Sequence, residues 1–430
     1  MAQRQIQLGA RQVLILLLVG HALLGLAYNR LVPFGRGPDE PAHLLFIQSL
    51  AGEAPVGTQW RLGLPVMQTD WEDPNFEVHQ PPLYYLAAVP LYLVGGPGAA
   101  AFLSLLASVA TVWLTWRLAR ELVSEDLALA AAAVVALWPQ QTYLATRLNN
   151  DLPANALWAL CLWLWAHGLR EGPSVRLGVW TGVALGCALL TKQTSLALVP
   201  LALLAAALQA WATRRPREAL AALGATLGVA VLIAGWWFVR NQIVYGGLFA
   251  EAAFDERFLT RRITPEGLAQ QFARHADWSY WPYVAQWTVR SAMVYLDEGA
   301  KNLLPQGVYP IQVALLAFAT VGAVWALLRR AGQGGRDVLV AWAALAGAGL
   351  LLLGLLYVRF NLKYFQAQGR YFFGLLPLFG LWLAGGPSRL WPAGLLGGAP
   401  RRYGLLLAPL WFGLINALLI IVYLPGLYDE

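Results

Sequence analysis

Runs of about 18 to 20 apolar residues recur along this chain, and the short stretches between them carry most of its charge; each run matches the length a helix needs to cross a bilayer. Hydrophobic residues make up 58% of the 430 and charged residues 12%, whereas a soluble domain carries roughly a quarter charged. The runs lack the ten-residue alternation of a transmembrane barrel. The pattern predicts an all-α polytopic membrane protein, one transmembrane domain over residues 1–430. Hydropathy places about eleven spans, near 12–29, 99–116, 127–146, 152–169, 177–193, 195–212, 219–238, 309–328, 338–357, 371–385 and 404–424.

Arginines give the orientation. Arg117 and Arg120; Arg170 and Arg176; Arg214, Arg215 and Arg217; Arg329, Arg330 and Arg336; and Arg389, Arg401 and Arg402 all fall in alternate connections, on the same side as Arg4 and Arg11. The positive-inside rule makes that side, with the N-terminus, cytoplasmic. The net charge of +7 therefore reflects topology and argues against nucleic acid as a partner. The first run reads as an uncleaved helix. Cys161 and Cys187 lie inside apolar runs and read as packing residues.

Two long connections fall on the outer face. The first, 30–98, contains Pro81–Val94, too short and too interrupted by Pro90 to cross, and reads as an interfacial or re-entrant helix. The second, 240–305, is the other candidate to meet a substrate.

The first outer loop opens Arg36-Gly37-Pro38-Asp39-Glu40-Pro41-Ala42-His43. With Pro41 in a helix's first turn, Asp39 or Glu40 caps it and His43 lies one turn on, on the same side. A cap occupied by backbone N–H groups is a poor proton acceptor; an uncapped Asp39 is a base at the membrane surface. Later come His79-Gln80-Pro81-Pro82, polar groups before a Pro-started helix, and Asp70-Trp71-Glu72-Asp73, a solvated loop or an oxygen-rich cation site.

Asp151 ends Arg147-Leu148-Asn149-Asn150-Asp151 between two tightly connected runs. There an ionisable group faces a cavity or a partner, with Arg147 the nearby partner in sequence. Lys192 is isolated in apolar surroundings and suits an anionic ligand such as phosphate. Arg240-Asn241, Arg359 with Lys363, and Arg370-Tyr371 put cations at outer helix ends beside aromatics. Each alone reads as interfacial anchoring, and several on one face suit an anionic lipid headgroup. Asp277-Trp278-Ser279-Tyr280-Trp281-Pro282-Tyr283 suits stacking on sugar or lying in the interface.

In order, Pro-Asp-Glu-Pro-Ala-His, His-Gln-Pro-Pro-Leu-Tyr-Tyr, Asn-Asn-Asp, Thr-Lys-Gln-Thr, Trp-Trp-Phe-Val-Arg-Asn and Gln-Gly-Arg-Tyr resemble the multi-span GT-C glycosyltransferases. The likeness is to bacterial members related to protein O-mannosyltransferases and the aminoarabinose transferase of lipid A. The resemblance implies a GT-C fold and transfer of a hexose or pentose from a polyprenyl-phosphate donor, with inversion, on the extracytoplasmic face of the cell membrane. The acceptor would be a lipid, glycan or protein of the cell envelope. Asp39 matches the catalytic base, with Glu40 its neighbour, and Asp151 the second acidic position. Lys192, Arg240 and Arg370 are candidates for the donor phosphate, with His43, His79, Gln80, Asn241, Arg359, Lys363 and Tyr371 around the substrates. A divalent cation, Mg or Mn, is also implied, held by Asp39, Glu40 or the acids of 70–73. With its last span ending near residue 424, the chain is expected to lack the large outer domain of several relatives, which leaves the acceptor open.

A second reading is a transporter or flippase for a lipid-linked or anionic solute. It predicts charges at the midplane of discontinuous helices and internal repeats, neither of which the sequence displays. A third is a non-catalytic scaffold for lipid headgroups.

Overall fold

The computed structural model describes residues 9–68, 74–259, 280–296, 304–332, 337–390 and 400–428. Helix α1 (Ala10–Leu31) leads into α2 (Glu40–Leu50), a small antiparallel hairpin of β1 (Trp60–Arg61) and β2 (Leu64–Pro65), a 3-10 turn (Phe76–His79) and the long α3 (Leu83–Leu122). Then follow α4 (Glu125–Ala136), α5 (Pro139–Leu144), α6 (Asp151–Glu171), α7 (Val175–Leu189), α8 (Leu198–Thr213) and α9 (Pro216–Tyr245). The remainder comprises α10 (Glu251–Arg257), α11 (Tyr280–Met293), α12 (Val308–Gly332), α13 (Val338–Asn361), a 3-10 turn (Gly369–Leu375), α14 (Leu376–Leu390) and α15 (Pro400–Leu418).

Seven helical segments among the described residues are long and apolar enough to cross a membrane, fewer than the eleven spans expected. The other four expected runs are helical but altered. The run near 127–146 breaks at Leu137–Trp138, where Pro139 starts a new short helix. Helix α6 carries Asp151 and Asn155 on its buried side, α7 has 15 residues, and the run near 371–385 starts as the 3-10 turn at Gly369–Leu375. Neighbouring helices can satisfy the backbone and polar groups that such pieces could not leave in lipid.

Helix α3 is two pieces. Gly95 (φ −146°, ψ 22°) and Gly96 (φ 66°, ψ −160°) are non-helical, and the positive φ at Gly96 is one that glycine adopts without steric cost. The arm before them is the proline-containing stretch read as interfacial; the span follows.

Small residues set the tightest seam. Gly178, Gly182 and Gly186 on α7 face Ala222, Thr226 and Ala230 on α9, where a side chain at Gly178 or Gly182 would overlap the α9 backbone. Such close approach is how helices gain packing in lipid, where burial of apolar surface supplies little. Polar pins add register: His21 of α1 bridges the Ala136 carbonyl and the Ser108 hydroxyl at 2.7 Å each, and Tyr28 donates to Asn416 of α15 at 2.7 Å. The connection from Ala145 to Asn150 is buried throughout, and the polar groups of the first loop gather around it.

Candidate active site

Asp39 and Glu40 part company at the start of α2. Asp39 sits at the N-cap position in the left-handed region (φ 55°, ψ 14°) and its side chain makes no capping bond; Asp is among the few residues that tolerate this conformation. Glu40 is sealed in. Its Oε2 accepts from the Gly35 and Gly37 amides at 2.8 and 3.0 Å, and its Oε1 from the Leu148 amide at 3.0 Å. Arg147 lies 3.7 Å from it and donates to the Pro33 and Val32 carbonyls at 3.0 Å each. Glu40 thus braces the first loop against the buried 145–150 connection, and of the adjacent carboxylates only Asp39 has free capacity.

Asp39 belongs to a chain of alternating charges. Arg370 brings Nη2 to within 3.5 Å of Asp39 Oδ2 and Nη1 to 2.9 Å of Asp151 Oδ2, while Lys192 pairs with the other oxygen of Asp151. The Asp39 side chain is 36% exposed, against 7% for Arg370 and 7% for Asp151. Arg370 is oriented further by donating from Nε to Gln368 Oε1 at 2.5 Å. Tyr371 offers its ring to both cations, 5.9 Å from Lys192 and 5.8 Å from Arg370. A pocket lined by Asp151, Asn155, Lys192, Arg370 and Tyr371 opens here. Asp151 therefore pairs with Lys192 and Arg370 and not with Arg147, the partner suggested by proximity in sequence.

Beside this chain is a buried cluster from three elements. His43 Nδ1 lies 2.8 Å from the Tyr85 hydroxyl and 3.7 Å from Glu77 Oε2, and Tyr85 reaches the same Glu77 oxygen at 3.4 Å. Burial lowers the His43 pKa below 6.5, against the opposing pull of Glu77, Asp39 and Asp151. Burial raises that of Glu77 above 4.5, with His43, Lys192 and Arg370 opposing. His79 and Gln80 form a latch: Asn150 donates to Gln80 Oε1 at 3.4 Å, Gln80 to His79 Nε2 at 3.3 Å, and His79 Nδ1 to the Phe76 carbonyl at 2.6 Å. Burial lowers the His79 pKa as well.

Four expected site residues have other partners. Arg240 donates to the carbonyls of Arg61, Leu64 and Pro65, at 3.4, 3.3 and 3.0 Å, holding the hairpin. Asn241 donates to the Leu248 carbonyl at 3.3 Å. Arg359 pairs with Glu251 at 3.5 Å and Lys363 with Asp255 at 2.8 Å, tying α10 to the end of α13. Among the described residues none of these four bonds to Asp39, Asp151, Lys192 or Arg370. The acids of 70–73 and residues 277–279 lie outside the described residues.

The divalent cation expected at Asp39 and Glu40 does not fit that pair, because Glu40 is spent on three amides and Asp39 faces a guanidinium. No group of three His, Cys, Asp or Glu suited to a metal occurs among the described residues. Sequence reasoning passed over Glu77 and Tyr85. In the sequence Glu77 is one of several acids of the first outer loop, marked only by its place two residues before His79, and Tyr85 is one of two adjacent tyrosines.

A family model described as dolichyl-phosphate-mannose-protein mannosyltransferase matches residues 78–238. No curated protein matches the sequence at a significant level. Among solved structures, ArnT from Cupriavidus metallidurans bound to undecaprenyl phosphate superposes with a TM-score of 0.55 at 16% identity, over 95% of this chain and 70% of that one. The archaeal oligosaccharyltransferase AglB from Archaeoglobus fulgidus, in complex with an inhibitory peptide and a dolichol-phosphate, gives 0.55 at 13% identity, over 94% of this chain and 55% of that one. The Archaeoglobus fulgidus oligosaccharyltransferase complexed with Zn and sulfate gives 0.52 at 13% identity, over 95% and 52%. This chain thus spans about half the length of the oligosaccharyltransferase. By its fold and its apolar spans the chain is an all-α multi-pass membrane protein that shares the fold of these solved structures, and its residues 78–238 are similar to the mannosyltransferase family.

Proposed function

We propose that this protein transfers a sugar from a polyprenyl-phosphate donor to a hydroxyl or amine on the extracytoplasmic face, with inversion, and that Asp39 is the general base. The carrying observation is that the Asp39 side chain makes no capping bond and is partly exposed, 3.5 Å from Arg370, whose other carboxylate partner is the buried Asp151 shared with Lys192.

The chemistry needs two things: a base for the acceptor's proton, and cations for charge arising on the departing phosphate. In the reaction, the acceptor oxygen or nitrogen forms a bond to the anomeric carbon as the bond to the phosphate oxygen breaks. The acceptor's proton passes to Asp39 and the bonding electrons leave with the phosphate. Arg370 and Lys192 are the cations, Arg370 presenting its guanidinium in the forked geometry that suits phosphate oxygens. Asp151 holds both in place through its two carboxylate oxygens. Attack opposite the leaving phosphate gives inversion in a single displacement, so no nucleophilic side chain is required.

Undecaprenyl phosphate on ArnT and dolichol-phosphate on AglB support a lipid phosphate as donor group, and the positive-inside arginines support the outer face. The acceptor is a lipid, glycan or protein. The test is purified protein incubated with polyprenyl-phosphate sugars and membrane extract: donor is consumed by wild type and not by Asp39→Asn, which still binds donor. A transporter or headgroup scaffold would be indifferent to that substitution, and equal turnover by both proteins would refute the reading.

A further inference from the structure

His43, Tyr85 and Glu77 have no part in the displacement just described, yet all three are buried against the Asp39 cluster. His43 is 4% exposed, Tyr85 0% and Glu77 6%. They come from three separate elements, α2, α3 and the 3-10 turn at Phe76–His79. Their polar atoms form one tight triangle of 2.8, 3.4 and 3.7 Å, with every contact to His43 made through Nδ1.

The other ring nitrogen is differently placed. Nε2 has no hydrogen-bond partner among the described residues and is not one of the fully buried unpaired atoms. His43 lies one helical turn after Asp39, and its backbone N–H donates to the Asp39 carbonyl at 3.0 Å. The two residues are thus joined through the first turn of α2, and the charge of Asp39 is felt at the His43 ring. One side of the imidazole is fastened inside, and the other is left without a protein partner among the described residues.

Which nitrogen of a histidine carries the proton is set by the bond its other nitrogen makes. An ionised Glu77 can only accept, so it takes the Tyr85 O–H; the Tyr85 oxygen then accepts from His43 Nδ1–H, and Nε2 is left with a lone pair. A protonated Glu77 can run the same three groups in reverse, with Tyr85 donating to Nδ1 and Nε2 carrying the hydrogen. We propose that Glu77, acting through the Tyr85 hydroxyl, fixes the tautomer of His43 so that Nε2 accepts a hydrogen bond from a substrate hydroxyl next to Asp39. Glu77 is thus a positioning residue. The proposal rests on the glycosyl-transfer reading for the identity of that hydroxyl, which the donor sugar and the acceptor both possess.

Groups besides the triangle act on its proton balance. Asp39, Lys192 and Arg370 act on Glu77, and Asp39, Asp151 and Lys192 on His43. Wild type and variants should therefore be compared over a pH series in the intact protein.

The experiment is nitrogen NMR on full-length protein labelled with ¹⁵N in the histidine ring and held in lipid nanodiscs, with His43→Gln identifying the His43 signals. The expected result is Nδ1 protonated and Nε2 bare at neutral pH, reversing as pH falls and Glu77 takes its proton. Glu77→Gln and Tyr85→Phe should each relax His43 toward the Nε2–H form that imidazole prefers in water. A wild-type His43 that is already Nε2–H, or one unmoved by both substitutions, overturns the proposal. The wild-type pH series stands alone if a variant fails to fold. In transfer assays Glu77→Gln should raise one KM about five- to tenfold, the range for one neutral hydrogen bond, with kcat less affected. A change in the donor KM assigns the hydroxyl to the sugar, one in the acceptor KM assigns it to the acceptor, and neither overturns the binding role. The NMR result does not depend on turnover. Loss of the transferase reading through an active Asp39→Asn is therefore distinguishable from loss of this one.

Discussion

Arg370 meets Asp151 at 2.9 Å across a separation of 219 residues, with each side chain 7% exposed. Arg370's second carboxylate contact, to the more exposed Asp39, is longer, at 3.5 Å. A guanidinium anchored firmly to one carboxylate and loosely to another can exchange the loose contact for a phosphate without losing its place.

Asp151→Asn should leave the buried Arg370 and the partly buried Lys192 without their shared counter-charge. Removing one partner from a buried pair costs about 3 to 5 kcal/mol, and a marked fall in Tm in detergent or nanodiscs is the expected measurement. A Tm within a degree of wild type would show that the cations find other partners.

The neighbours at the start of α2 should separate cleanly. Asp39→Asn is expected to lower turnover about 10²- to 10⁴-fold, the range for a general base, and to move stability little, since the side chain caps nothing. Glu40→Ala should do the opposite to the fold: three amides lose their acceptor and Arg147 its carboxylate. A loss of about 3 kcal/mol or more is expected, read as lower Tm and poorer yield of folded protein.

Acid should destabilise the protein through His43. Its pKa is depressed in the folded state, so the stability tied to its neutral form is complete above 6.5, the unfolded value, and is lost as pH falls from there toward the folded one. Glu77 has the opposite slope: its pKa is raised, so its contribution is complete below 4.5 and is lost as pH rises through the folded value. Unfolding measured from pH 7 downward carries both contributions with opposite sign, and His43→Gln should remove the loss that sets in below 6.5. An unchanged slope in the variant would assign the effect elsewhere.

Gly178→Val should disrupt the seam between α7 and α9, since its side chain would overlap the Ala222 backbone. Overpacking of this kind costs about 1 to 3 kcal/mol. Gly224→Val on α9, where nothing lies within 4 Å of an added Cβ, is the control expected to be far milder in the same thermal assay.

Much of this was legible in the sequence. Apolar run length gives the all-α class and, among the described residues, seven of the eleven expected spans, because lipid leaves the backbone few alternatives. The proline-containing stretch Pro81–Val94 does end where α3 breaks, at Gly95, and Asp151, Lys192 and Arg370 meet in space. Pairing was harder to read. Asp151 stands four residues from Arg147, yet its partners come from positions 192 and 370, because which helix ends meet depends on how the spans pack. Arg240 looks like Arg370 in sequence, a cation at a helix end beside aromatics, and only the hairpin folded over it makes it a brace. Asp39 and Glu40 are adjacent acids whose roles diverge through backbone geometry, the left-handed turn at 39, which no hydropathy pattern encodes.

The order in which Asp151 acquires its partners has a bearing on biogenesis. Lys192 follows it by 41 residues and Arg370 by 219, and chains generally fold from the N-terminal end as they are made. The nascent protein thus has a counter-ion for its buried acid long before the last helices emerge. The late guanidinium joins a site that is already electrically balanced, and links it to Asp39 only once synthesis is nearly complete.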